Sequence, residues 1–147
     1  MTYESSFFRY SGVPMAQTPA VVPIGRASLS PGLPRSGRLP AWRFRRVEAM
    51  VRERLGDVVT LSDMAAAAGL SPMHFAAQFK ASTGMRPHRY LLQQRIEKAK
   101  AMLVHPRSSI LDVALSVGFQ TQAHFTTVFK QLEATTPHHW RQHRIAA

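Results

Sequence analysis

From residue 41 onward, apolar side chains recur every three or four positions with polar ones between them, the spacing of amphipathic helices. Phe44, Val47, Met50, Val51 and Leu55 share one face of a first helix that is expected to stop at Gly56. Its other face carries Arg43, Arg45, Arg46, Arg52 and Arg54, the pattern of a solvated surface. Thr60 and Asp63 form a start signal for a second helix, which buries Leu61, Met64, Ala65 and Ala68 and closes at Gly69. Ser71 and Pro72 then serve as cap and first-turn residue of a third, backed by Phe75 and Phe79 and ended by Gly84. Pro87 opens the next element, where Leu92, Ile96, Ala99 and Leu103 hold the period until Pro106 stops it. Some seventeen residues at 1.5 Å each make a rod of about 25 Å.

The stretch from Ser109 to Trp140 repeats this plan. Ser109 and Asp112 give a start signal, and Ile110, Val113, Ala114 and Val117 recur until Gly118. Phe119, Gln120 and Thr121 make a turn, after which Phe125, Val128, Phe129 and Leu132 form an apolar back. The front, Gln122, Ala123, Thr126, Thr127 and Lys130, is small or polar. Two short helices about a glycine-containing turn, the second apolar behind and small-polar in front, predict a helix-turn-helix. Ala65 and Ala114, Gly69 and Gly118, and Leu70 and Phe119 lie 49 positions apart. One extra residue in the second turn makes the offset 50, which pairs Phe75 with Phe125, Phe79 with Phe129, Lys80 with Lys130, Pro87 with Pro137 and Tyr90 with Trp140. The chain therefore contains the unit twice.

Composition narrows what such a pair could meet. Nineteen Lys and Arg against eight Asp and Glu give a net charge of +11, with +8 of it on residues 41–147. A surface of that sign attracts polyanions. Membrane is the weaker choice, because no run approaches the roughly 18 apolar residues of a spanning helix, and no secretory signal precedes Glu4. A cytoplasmic protein is expected. With no cysteine, disulfides, thiolate zinc sites and cysteine nucleophiles are excluded. His139 and His143 are four apart and could chelate, yet no nearby carboxylate completes a site, so no metal and no cofactor are expected. No nucleophile elbow, phosphate loop or paired-acid constellation points to an enzyme or to a catalytic residue. Residues 1–40 hold Pro14, Pro19, Pro23, Pro31, Pro34 and Pro40 with Gly12, Gly25, Gly32 and Gly37 between them. That punctuation predicts a largely disordered arm of net charge +3, either a linker or a basic segment that touches DNA.

The segments LSDMAAAAGLSPMHFAAQFKASTGMRPHRYLLQQRIEKAKAML and ILDVALSVGFQTQAHFTTVFKQLEATTPHHWR together resemble the DNA-binding domain of the AraC/XylS family of bacterial transcriptional regulators. The resemblance covers about residues 43 to 144 and implies an all-α fold of about seven helices within 41–147. It places the first helix-turn-helix at about 60–84, the linking helix at about 87–104 and the second helix-turn-helix at about 109–133. It further implies recognition helices in two successive major-groove segments of double-stranded DNA and transcriptional control through RNA polymerase. Family members often carry a separate sensor and dimerisation domain, for which residues 1–40 are too short. The expectation is a monomer acting alone or the tail of a longer regulator.

Residues facing outward on the first reader include Met73, Ala76 and Ala77, and on the second Gln122, Ala123, Thr126 and Thr127; these are the candidates to touch bases. Gln122 can contact adenine N6 and N7 together, while the alanines and the threonine methyls suit thymine methyl groups. Phosphate candidates are Ser71, His74, Lys80, Arg86, His88 and Arg89 in the first half, and Thr121, His124 and Lys130 in the second. The family often has arginine at the positions of Ala77 and Thr127, so strong guanine reading is not expected there. Ala134 stands where glycine commonly closes the second reader, and a positive φ there would cost about 1 kcal/mol. A weakly specific DNA-binding or interaction module is the alternative to a sequence-specific regulator.

Overall fold

Helices in this chain begin where a side chain or a proline relieves the unpaired amides of the first turn. The computed structural model describes residues 37–146 and contains seven α-helices among them. They are α1 (Ala41–Glu53), α2 (Leu61–Ala68), α3 (Pro72–Thr83), α4 (Pro87–Leu103), α5 (Ile110–Ser116), α6 (Gln122–Glu133) and α7 (Pro137–Ile145). No strand occurs among the described residues, in keeping with the all-α expectation. Thr60 and Asp63 form a reciprocal capping box, with the Asp63 amide donating to Thr60 Oγ1 at 3.1 Å and the Thr60 amide to Asp63 Oδ2 at 2.8 Å. The Thr60 amide foremost, and then the Thr60 hydroxyl, which also donates to Oδ2 at 2.7 Å, hold the Asp63 carboxyl below its ordinary pKa. Ser71, Ser109, Thr121 and Thr136 cap α3, α5, α6 and α7 in the same way, each accepting from the amide three residues on.

Two separate hydrophobic cores result. The first gathers Leu39, Val47, Val51, Leu55, Met64, Phe75, Phe79, Tyr90 and Leu91 with their neighbours. The second gathers Ile96, Ala99, Leu103, Val113, Val117, Phe119, Phe125, Val128 and Phe129. Aromatic rings stack the interiors: Phe75, Phe79 and Tyr90 follow one another in the first, and Phe119, Phe125, Phe129 and Trp140 in the second. Helix α4 belongs to both cores, its N-terminal part packing into the first and its C-terminal part into the second.

Several details differ from expectation. The expected arm lies outside the described residues as far as residue 36, but its last residues do not: Leu39 is buried and its amide donates to Ser82 Oγ at 2.6 Å. Packing therefore starts two residues before Ala41. Helix α1 ends at Glu53 rather than at Gly56, because Arg54 leaves the helical region and a turn bond from the Asp57 amide to the Arg54 carbonyl takes over. Arg43 is half-buried and tied down rather than free on a solvated face. Its guanidinium donates to the Ala68 carbonyl and, at 3.0 Å, to the Gly69 carbonyl, which satisfies the C-terminal end of α2. Arg54 likewise reaches Asp63, with Nη1 3.7 Å from Oδ1.

Candidate nucleic-acid interface

Each core presents its second short helix outward. In α3 the inward residues Phe75 and Phe79 are fully buried, which leaves Met73, His74, Ala77 and Lys80 exposed and Ala76 half-buried. Met73 has 81% of its surface free, more than any other exposed large apolar side chain described. In α6 the inward residues are Phe125, Val128 and Phe129, leaving Gln122, Ala123, His124, Thr127 and Lys130 exposed and Thr126 half-buried. The fronts of the two helices thus carry the same positions of the repeat, as a 3.6-residue period demands once the backs are fixed.

Local bonds sort these side chains further. Ser71 Oγ accepts from the His74 amide and lies 2.8 Å from His74 Nδ1, so the cap also holds the ring. Thr121 Oγ1 accepts from the His124 amide at 3.1 Å, and the His124 ring packs edge-on against Phe119 with centroids 5.3 Å apart. The Thr127 hydroxyl donates to the Ala123 carbonyl at 3.0 Å, which uses its proton within the helix and leaves it acceptor capacity only. Gln122 has no side-chain bond that would tie it down among the described contacts, and it stands at the first position of α6.

On the first half, the fold brings five of the expected residues onto one groove of about 550 Å³: Ala76, Ala77 and Lys80 of α3 with Arg86 and His88 at the start of α4. Met64 and Leu91 line it with apolar surface, and so does Leu61, which is exposed here rather than buried as its helical period predicts. Arg89 is exposed beside this groove's end of α4 but does not line it. Lys80 and Lys130 sit in the last turns of α3 and α6, where the negative end of the helix favours a cation. No cluster of three metal-ligating side chains occurs among the described residues. His139 and His143 do meet, with Nε2 atoms 3.3 Å apart and Thr135 Oγ1 3.2 Å from His139 Nδ1.

One residue with a structural part in this arrangement escaped the sequence reading. Arg95 is the one charged side chain among the buried polar residues described, at 9% exposure, and it lies on α4 between Leu91 of the first core and Ile96 of the second. Its position in line with Leu91, Ala99 and Leu103 was the available signal, since a cation on an apolar stripe must find acceptors inside.

Comparison with known proteins agrees with this geometry. The family model described as "Helix-turn-helix domain" matches residues 64–143. The HTH-type transcriptional regulator MtrA of Neisseria gonorrhoeae is 32% identical over 110 residues, covering 73% of this chain and 36% of MtrA. The HTH-type transcriptional activator RhaS of an Enterobacter species is 31% identical over 127 residues, covering 86% of this chain and 44% of RhaS. The chain thus spans less than half the length of these curated relatives. Among solved structures, the DNA-binding domain of AdpA, a global transcriptional factor in complex with a target DNA, superposes with a TM-score of 0.66 at 26% identity, covering 71% of this chain and 94% of that one.

Proposed function

Because the chain belongs to the AraC/XylS family of helix-turn-helix regulators, we propose that it is a sequence-specific DNA-binding transcriptional regulator whose α3 and α6 read two successive major-groove segments. The observation that carries this reading is the repeated exposed front: one helix of each core turns its small and polar side out, and α4 joins the two cores. A rod of 17 residues can hold two readers roughly one DNA turn, about 34 Å, apart.

In this reading Met73, Ala76 and Ala77 meet bases in one groove segment, and Gln122, Ala123, Thr126 and Thr127 meet them in the next. Gln122 recognises an adenine through two hydrogen bonds, while the alanines and threonine methyls take thymine methyl groups. Lys80, Arg86, His88 and Arg89 neutralise phosphates on the first side and Lys130 on the second, with Ser71, His74, Thr121 and His124 at the backbone edge. The groove that gathers Lys80, Arg86 and His88 supports the first of these assignments. Two readers on one chain supply both half-sites, so the DNA-binding unit is a monomer. The activator among the relatives supports RNA polymerase as a protein partner.

Selection of bound duplexes from a random DNA pool tests the whole reading. The expected result is an enriched site with two half-sites about 10 to 10.5 base pairs apart. Failure to enrich any sequence, with binding abolished by equal excess of random competitor, would instead mark a weakly specific module.

A further inference from the structure

The two cores share α4, and a continuous helix by itself can bend or twist. What else holds them in register is a polar joint. At its centre, the Arg95 Nε donates to the Leu55 carbonyl at 3.1 Å and Nη2 donates to the Asp57 carbonyl at 2.7 Å, both in the loop between α1 and α2. The other side of the guanidinium faces the Phe119 ring of the second core, 5.8 Å from the ring centroid. The backbones themselves meet here. A Cβ on Gly118 would lie 2.6 Å from the Leu55 carbonyl oxygen and 2.8 Å from the Arg95 guanidinium carbon. A Cβ on Gly56 would lie 2.9 Å from the Ser116 carbonyl oxygen. Gly56 has no positive φ, so its small size serves this approach and not a turn.

We propose that the joint of Arg95, Gly56 and Gly118 is the element that fixes the orientation of α3 relative to α6, and thereby the half-site spacing the protein accepts; the second clause rests on the two-reader function proposed above. The joint is suited to orientation. Hydrogen bonds to fixed carbonyls are directional in a way that apolar contact is not, and a planar guanidinium held at two points with a ring facing its other side has little freedom to pivot. Each core keeps its own aromatic interior, so loosening the joint leaves both readers folded. Arg95 is therefore a positioning residue: it acts on DNA only through the helices it aligns.

Two measurements separate the parts of this claim. The chain has no native cysteine, so nitroxide labels can be attached after Ala81→Cys and Gln131→Cys, two exposed positions on α3 and α6 that lie outside the proposed contacts. Pulsed dipolar spectroscopy on the full chain should give one narrow distance distribution. Arg95→Met, which keeps the stem and removes both donors, should at least roughly double its width, and so should Gly56→Ala, which wedges the backbones apart. Arg95→Lys, with a donor and charge retained, should restore part of the narrowness. Binding to the duplex selected by the native protein is then measured with one base pair inserted between half-sites, a rotation of about 34°. The native protein should lose at least about tenfold in affinity, whereas both loosened variants should lose less than about threefold and bind a single half-site as the native protein does.

Distributions that stay narrow in both variants would overturn the joint. So would a failure of both to fold, which would make these residues supports of the cores. Indifference of the native protein to the insertion would refute the two-reader function, and the label distances would still decide whether the joint sets the orientation.

Discussion

Ala134 closes α6 with φ 58°, the one positive φ among the described non-glycine residues, and Gly84 closes α3 at φ 74°. The two caps make the same bond: the Gly84 amide donates to the Lys80 carbonyl at 2.9 Å, and the Ala134 amide to the Lys130 carbonyl at 3.0 Å. They differ in one methyl group. In the left-handed region that methyl crowds the carbonyl oxygen and costs about 1 to 2 kcal/mol, against which glycine loses about 0.5 to 1 kcal/mol of extra chain entropy on folding. Ala134→Gly should therefore stabilise by about 0.5 to 1 kcal/mol, a rise of about 2 to 4 °C in Tm for a domain of this size. Gly84→Ala is its mirror. Nothing lies within 4 Å of the Cβ it would introduce, so the backbone is the whole cost and the expected loss is of the same size. Urea titration of both variants, with the slope m unchanged and the midpoint displaced in opposite directions, is the check. A midpoint for Ala134→Gly at or below that of the native chain would refute the backbone account. Unequal and same-signed displacements would do so as well.

Further expectations concern the readers and the ties between helices. Gln122→Ala should cost about 1 to 3 kcal/mol on the selected site and relax preference at one adenine position; uniform weakening across all sequences in a competition titration would make Gln122 a positioning contact only. Phe129→Ala removes a fully buried ring that touches Phe125 and Trp140 and should destabilise by about 3 to 5 kcal/mol in chemical denaturation. The Lys100 ammonium bridges Glu97 at 2.8 Å and Glu133 at 2.9 Å, linking α4 to α6. Partial burial pushes its pKa down, but the two carboxylates outweigh burial and hold it above the ordinary lysine value. The folded state thus binds that proton more tightly than the unfolded chain. With both carboxylates charged, the stabilisation is complete below about pH 10.4 and disappears as pH rises through the folded pKa. Lys100→Met should cost on the order of 1 kcal/mol near neutrality, and the gap between the stability curves of the two proteins should close as pH rises through the Lys100 pKa. A gap that persists undiminished into the alkaline range would contradict the assigned sign. Affinity for DNA should fall with salt at a log–log slope of about −0.9 per neutralised phosphate, and Lys80→Ala and Lys130→Ala should each make that slope shallower by about one contact.

By itself, the sequence determined what depends on near neighbours along the chain. A capping hydroxyl with its partner three residues on, an apolar side chain every three or four positions, and a glycine or proline at each break are local geometry. They sufficed for the helices, for the duplicated unit and for the fronts that α3 and α6 turn outward. Comparison with Gly84 in the first copy, and with the glycine common at this place in the family, is what singled out Ala134 before its φ was known. Tertiary structure decided the rest. Arg43 looked like one more cation on a solvated face until α2 brought the Ala68 and Gly69 carbonyls within its reach, and Gly56 looked like a helix stop until Ser116 arrived against it. Arg95 depended most on the fold, because its acceptors at Leu55 and Asp57 and its ring at Phe119 are distant in sequence and come together only when both cores form around α4. Periodicity marks which side of a helix is buried. Which carbonyl or ring waits on that side is set by loops approaching from elsewhere in the chain, and in this protein those approaches join the two readers.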